Sequence, residues 1–304
     1  MKKCLSTAAV LIFLFTLAAG CSKKDEPTAP KSNLSISISG KILYEKVEGE
    51  IHLYNIQTGI DRTLFNGSFP ERLNNGYIIY VLDYPNRLMI NSEDGLSQTT
   101  LVENNKMYFQ CPRVSPDGKM IAVHNLFSST SDNISPGTIV YKIDGSEAAR
   151  FKDLFQPSWT PDGRLVLSGS YYSFYGPQTT SQKGLFISNS SFSSVQRIDP
   201  GLAEPLMPAV SPDGKQVAFV YNKHLWIMNL DGSSLRQVTK SDSEESYPAW
   251  SQDGKYLLFN IQKSGSDLAV VPSTGTTAIT DETECFFLTN DAGFLNSNSQ
   301  INNW

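Results

Sequence analysis

Residue types that carry chemistry are sparse in this 304-residue chain. It holds three histidines, His52, His124 and His224, dispersed along the sequence. A zinc site needs three or four converging donors, so such a set reads as part of the scaffold. Cys111 and Cys285 lack a CxxC or histidine-containing metal spacing; in an oxidising compartment they could pair, or stay as structural thiols. No Gly-x-Ser-x-Gly elbow offers a serine nucleophile, and no glycine-rich phosphate loop or EF-hand pattern occurs. Asp117, Asp162, Asp213 and Asp253 each precede a glycine and recur at one position of a repeat, which points to turns rather than paired-carboxylate catalysis. The expectation is no catalytic residue, no metal and no cofactor.

The elements around these residues repeat. Pro-x5-Gly occurs at Pro70/Gly76, Pro112/Gly118, Pro157/Gly163, Pro208/Gly214 and Pro248/Gly254. The last four contain a sharper core: Ser115-Pro116-Asp117-Gly118, Thr160-Pro161-Asp162-Gly163, Ser211-Pro212-Asp213-Gly214 and Ser251-Gln252-Asp253-Gly254. Their glycines are 45, 51 and 40 residues apart. Proline presets φ, aspartate bonds nearby amides and glycine accepts positive φ, so each core is a tight turn. A short extended segment precedes each core, at 111–114, 156–159, 207–210 and 247–250, and an apolar, β-rich run follows it. That is a hairpin of strands a and b. A third strand then ends in a second turn, as at Asp94-Gly95, Asp144-Gly145 and Asp231-Gly232, and a short fourth strand follows. The period and strand count predict an all-β chain, a six-bladed β-propeller of four-stranded antiparallel blades.

Strings such as Tyr247-Pro248-Ala249-Trp250-Ser251-Gln252-Asp253-Gly254-Lys255 and Leu225-Trp226-Ile227-Met228-Asn229-Leu230-Asp231-Gly232 resemble the propeller repeats of TolB. The resemblance covers about residues 40–304 and implies the fold. TolB has an α/β domain before its propeller; only a tether and a few residues precede the first blade in this chain, so the TolB role does not carry over. The ring is expected to close through Ile301-Asn302-Asn303-Trp304, which aligns with Tyr247-Pro248-Ala249-Trp250 as a strand a for blade 1. The rival is Ser35-Ile36-Ser37-Ile38-Ser39, which alternates at strand period.

Loop parity says where binding should sit. The a–b and c–d turns share one face, and the b–c and d–a connections share the other. The b–c connection is minimal in blade 5, at Tyr221-Asn222-Lys223, but grows to about 125–137 in blade 3 and 170–184 in blade 4. Long loops on a rigid scaffold concentrate function. The blade 4 loop carries Tyr171, Tyr172, Phe174 and Tyr175, which either offer a contact surface or pack down over the blade. The residues before each proline, Phe69, Cys111, Gln156, Met207 and Tyr247, should ring the central mouth on that face, lining a small pocket or plugging the channel. The expected partner is a protein, peptide or glycan; the enzymatic alternative is a metal-dependent polysaccharide lyase, which needs clustered histidines and acids.

The N-terminus bears on location. Lys2 and Lys3 precede an apolar stretch from Ala8 to Ala19. Twelve residues at ~1.5 Å each cannot cross a ~30 Å hydrocarbon core, so the stretch fits a signal peptide, residues 1–20. It ends in Leu17-Ala18-Ala19-Gly20-Cys21, which resembles a bacterial lipobox with Ala18 in the usual leucine position; ordinary secretion is the alternative. Cys21 is the expected lipid attachment, the polar stretch 21–33 a flexible tether, and 34–304 the propeller. Ser22-Lys23-Lys24-Asp25-Glu26 reads either as a solvated linker or as a surface-export tag. Without Lys2 and Lys3 there are 23 basic against 30 acidic side chains, a net charge of −7, which argues against nucleic acid. The expected location is the cell envelope, at the outer membrane and either periplasmic or surface-facing, with membrane contact through the lipid alone.

Overall fold

The computed structural model describes residues 38–46, 49–82, 86–104, 106–126, 135–173, 176–179, 182–262, 266–290, 293–295 and 297. The expected lipobox and tether, most of the blade 3 loop and residues 301–304 lie outside them. Blade 1 contributes β1 (Lys41–Lys46), β2 (Glu50–Asn55) and β3 (Asp61–Asn66). Blade 2 is β4 (Ser68–Arg72), β5 (Ile78–Leu82), β6 (Arg87–Asn91) and β7 (Gln98–Glu103); blade 3 is β8 (Phe109–Val114), β9 (Met120–Asn125), β10 (Gly137–Lys142) and β11 (Glu147–Lys152). Blade 4 is β12 (Phe155–Trp159), β13 (Leu165–Ser168), β16 (Leu185–Ser188) and β17 (Val195–Arg197), with an inserted hairpin, β14 (Ser170–Ser173) and β15 (Gly176–Thr179). Blade 5 is β18 (Leu206–Val210), β19 (Gln216–Tyr221), β20 (His224–Asn229) and β21 (Arg236–Gln237). Blade 6 is β22 (Glu244–Trp250), β23 (Tyr256–Gln262), β24 (Ser266–Pro272) and β25 (Phe286–Phe287), followed by the small pair β26 (Thr289–Asn290) and β27 (Gly293–Phe294). All pairings within these sheets are antiparallel and join strands consecutive in the chain, except that β13 pairs with β16 across the inserted hairpin. The chain is a six-bladed propeller.

The second strand of each blade is an almost unbroken apolar run because both of its faces are buried. In β5, Ile78 and Tyr80 pack towards blade 1 while Ile79 and Val81 pack towards blade 3. In β19, Val217 and Phe219 face blade 4 while Ala218 and Val220 face blade 6. This is the two-residue strand period applied to two neighbours at once. Apolar clusters fill all six seams, including that between blade 6 and blade 1, where Leu258, Leu268 and Val270 meet Ile42, Tyr44 and Tyr54. The Tyr54 hydroxyl also donates to the Thr289 carbonyl at 2.8 Å. The ring is thus closed by packing. Among the described residues blade 1 has three strands, β1, β2 and β3.

The turn cores share one geometry. The Ser115 hydroxyl donates to Asp117 at 2.6 Å, Asp117 accepts the Lys119 amide at 3.1 Å, and the Met120 amide returns to Ser115 Oγ at 2.9 Å. Ser211/Asp213 and Ser251/Asp253 repeat the pattern, and Thr160 donates to Asp162 in the fourth core. Gly118, Gly163, Gly214 and Gly254 take φ between 70° and 83°, which a Cβ would resist. The Ser251 hydroxyl and the Lys255 amide hold the Asp253 carboxyl down at about 2. Cys111 and Cys285 are both buried and free. Among the described residues no helix is long and apolar enough to cross a membrane.

Candidate functional site

The inner strand of each of blades 2 to 6 carries a β-bulge around its X-Pro pair. The residue before proline is left-handed every time: φ is 53° at Phe69, 52° at Cys111, and 53° at Gln156, Met207 and Tyr247. A residue with a Cβ pays roughly 1–2 kcal/mol for that conformation. Five repeats of it mean that the surrounding ring imposes it. The bulge turns four of these backbone amides, those of Phe69, Gln156, Met207 and Tyr247, towards the preceding blade. The Phe69 amide donates to Glu45 at 2.9 Å and the Gln156 amide to His124 Nδ1 at 3.3 Å. The Met207 amide donates to Gln156 Oε1 at 2.9 Å and the Tyr247 amide to the Met207 sulfur at 3.3 Å. His124 in turn donates from Nε2 to Gln110 at 2.9 Å. A relay of side chains therefore links the inner strands of blades 3, 4, 5 and 6.

The five pre-proline residues do not play equal parts in this ring. Cys111 and Gln156 are each 3 % exposed and lie outside the cavity that opens further round the ring, so this sector is filled. Phe69 packs into the seam between blades 2 and 3. The half-buried Tyr247, with an edge of the otherwise buried Met207, lines a cavity of about 760 Å³ that opens between blades 5 and 6. Its apolar floor is Leu206, Met207, Val220 and Tyr247, and its polar rim includes Lys223 on the b–c turn of blade 5 and the stretch from Asp242 to Ser246 entering blade 6. These connections place it on the loop face.

The aromatic loop of blade 4 is the hairpin β14–β15, in the register Tyr171↔Gln178 and Tyr172↔Pro177. It leaves the blade at Gly169, where an added Cβ would sit 1.3 Å from the Gln182 carbonyl oxygen. Its first strand lies against the inner strands β12 and β18, so it stands beside the cavity's Leu206–Met207 wall. Tyr171 is half-buried, its ring 4.4 Å from that of Phe155, which is fully buried. The Tyr172 side chain, Phe174 and Tyr175 lie outside the described residues.

Glu245 was not singled out by its sequence. It is 3 % exposed and accepts from Ser241 Oγ at 2.8 Å, from the Leu225 amide at 3.1 Å and from the Thr239 hydroxyl, with His224 Nδ1 at 3.3 Å. Burial raises its pKa, against the pull of those donors and of His224. The carboxylate ties β20 and the end of blade 5 to the inner strand of blade 6. The one sequence signal for it is an acidic pair, Glu244-Glu245, entering an inner strand. The other histidines are equally engaged. Burial pushes His124 down to about 3, which keeps it neutral between its two partners. His52 sits between Glu50 at 3.3 Å and Asp61 at 3.1 Å; burial opposes its charge, yet those carboxylates raise its pKa overall. Asp61 also accepts from Tyr44 and from Asn290. Among the described residues no three His, Cys, Asp or Glu side chains gather to hold a metal.

The opposite, turn-face mouth holds a smaller cavity of about 380 Å³. It contains the Glu71–Arg113 ion pair at 3.0 Å and two indoles committed to backbone: Trp159 to Arg113 O at 2.9 Å and Trp250 to Ala209 O at 2.8 Å.

No curated protein sequence matches the chain. A family model described as the dipeptidyl peptidase IV N-terminal region matches residues 161–260. Among solved structures, a protein described as TolB from Agrobacterium tumefaciens is 17% identical with a TM-score of 0.63, covering 82% of this chain and 89% of its own. TolB from Acinetobacter baumannii is 21% identical with a TM-score of 0.54, covering 82% and 67%. An oligogalacturonate lyase in complex with manganese is 12% identical with a TM-score of 0.52, covering 73% and 67%. The scaffold is a TolB-like propeller, and the same scaffold also carries enzymes.

Proposed function

We propose that this chain is a lipid-anchored cell-envelope protein whose propeller binds a protein, peptide or glycan at the loop-face mouth, without turning it over. The observation that carries the reading is the cavity of about 760 Å³ on the face where the loops expand, floored by Met207 and Tyr247 and flanked by the tyrosine hairpin. Binding sites of this kind combine an apolar floor with a few polar groups on a rigid frame. The three histidines are each held by their own partners in a different blade.

A peptide and glycan array probed with the full chain tests the reading. Tyr172→Ser, Phe174→Ser and Tyr175→Ser together should lower retention of the captured ligand sharply, because aromatic anchors dominate contact energy. Unchanged retention by a stably folded triple variant would remove the hairpin from the site. Anchoring is tested by Cys21→Ala, which should move the protein from the membrane pellet to the soluble fraction; continued pelleting would mean another anchor. The likeness to the lyase supports a second reading, polysaccharide cleavage. Manganese-dependent cleavage of oligogalacturonate would establish it in place of binding alone.

A further inference from the structure

The cavity between blades 5 and 6 is chemically two-sided. Its floor is aliphatic, thioether and aromatic; its rim carries Asp242, Glu244 and Glu245. Lys223 is the one cation among its described lining residues, and it is paired with Glu244. More acid stands behind the rim. Ser243 donates to Glu282, and the Cys285 thiol nearby is pushed up to about 12, first by burial and then by the carboxylates of Glu245, Glu282, Glu284 and Asp281. Glu245 is saturated by its own donors, so it offers no contact to a ligand. Asp242 and Glu244 lie at the accessible edge.

An anion entering here meets the carboxylates of Asp242 and Glu244 and a lysine already engaged. A plain hydrocarbon covers the floor but strips water from the acids without replacing it, which is costly. A long cationic side chain satisfies both walls: its methylene stem covers apolar surface while its head stays polar. Methionine adapts to such a stem, and an aromatic face attracts the cation. At about 760 Å³ the space also admits backbone on either side of that side chain. We propose that the cavity takes a lysine or arginine side chain of a basic peptide segment, its stem on Met207 and Tyr247 and its head between Asp242 and Glu244. The assignment rests on the reading that the loop-face mouth is the binding site.

The test uses the full chain in detergent with ¹³C-methyl methionine, the Met207 signal being assigned through Met207→Leu. The probes are acetyl-Leu-Lys-Leu-amide and its arginine, norleucine and glutamate counterparts. The lysine and arginine peptides should shift the Met207 methyl and bind about tenfold more tightly than norleucine, the scale of a charge-assisted contact. Asp242→Asn with Glu244→Gln should remove that preference. Lys223→Gln should strengthen binding severalfold by freeing Glu244, an effect that damage to the fold cannot imitate. Raising salt should weaken the cationic peptides and leave norleucine unchanged. Equal binding of the norleucine and lysine peptides, or weaker binding by Lys223→Gln, overturns the cation assignment while a Met207 shift keeps the mouth as the site. No Met207 shift with any of the four peptides overturns the assignment, and the mouth itself falls as well if the array ligand also leaves that methyl unmoved.

Discussion

The two faces of this ring are built by different means. On the turn face, one short hydrogen-bonded device recurs from blade to blade: a hydroxyl on an aspartate, the aspartate on an amide, a glycine at positive φ. On the loop face the described b–c connections differ: a two-residue turn, Asn222-Lys223, serves in blade 5, while blade 4 grows a hairpin. The repeated face closes the blades, and the irregular face is free to vary because the seams already fix the frame. Binding is therefore expected where the repeat breaks.

The sharpest break of that contrast is at Glu245, a buried carboxylate behind the loop-face rim that gathers the Leu225 amide, the Thr239 and Ser241 hydroxyls and His224. Glu245→Ala leaves the Leu225 amide and the Thr239 and Ser241 hydroxyls without their acceptor, and should cost about 2–4 kcal/mol in urea unfolding. A loss under ~1 kcal/mol would mean that these groups find other partners and that the carboxylate is dispensable.

Two histidines in different sectors should respond to pH with opposite signs. His124 has a folded pKa near 3, below its unfolded value of about 6.5, so its neutral state stabilises the fold above pH ~6.5. As pH falls from there towards 3, the unfolded chain takes up the proton first and stability drops by about 1.4 kcal/mol per pH unit. His52 is raised, so its contribution is full below pH ~6.5 and is lost as pH rises through its folded pKa. Unfolding curves from pH 5 to 8.5 should show a shallower acid loss in His124→Gln, and a His52→Gln penalty larger at low pH than at high. Parallel pH profiles for wild type and both variants would contradict the two environments.

The smallest effect is expected on the turn face. Asp213→Ala removes one of several equivalent devices at an exposed site and should cost about 1 kcal/mol, leaving ligand affinity unchanged. A loss of affinity comparable to that of the hairpin variant would erase the distinction between faces.

How much of this was legible follows the range of the interactions. The Ser-Pro-Asp-Gly cores are local, so residue types alone gave their hydrogen bonds in outline. The second strands were legible as apolar runs because burial on both faces leaves no polar alternation. The pre-proline positions were visible as a ring, but not their φ near 53° or their unequal fates, because whether Met207 lines a cavity and Phe69 a seam depends on neighbouring blades. Tyr171 could not be assigned to surface or packing from its loop, since its partner Phe155 lies in another strand. Glu245 was missed for the same reason: its donors come from blade 5, and nothing in Glu244-Glu245 says which carboxylate turns inward.

The most direct measurement is hydrogen–deuterium exchange of the full chain with and without the ligand captured on the array. Protection is predicted at 206–207, at 242–247 and along the 170–179 hairpin, with 115–118, 211–214 and 251–254 unchanged. Protection confined to those turns, with the loop face unaffected, would contradict the account.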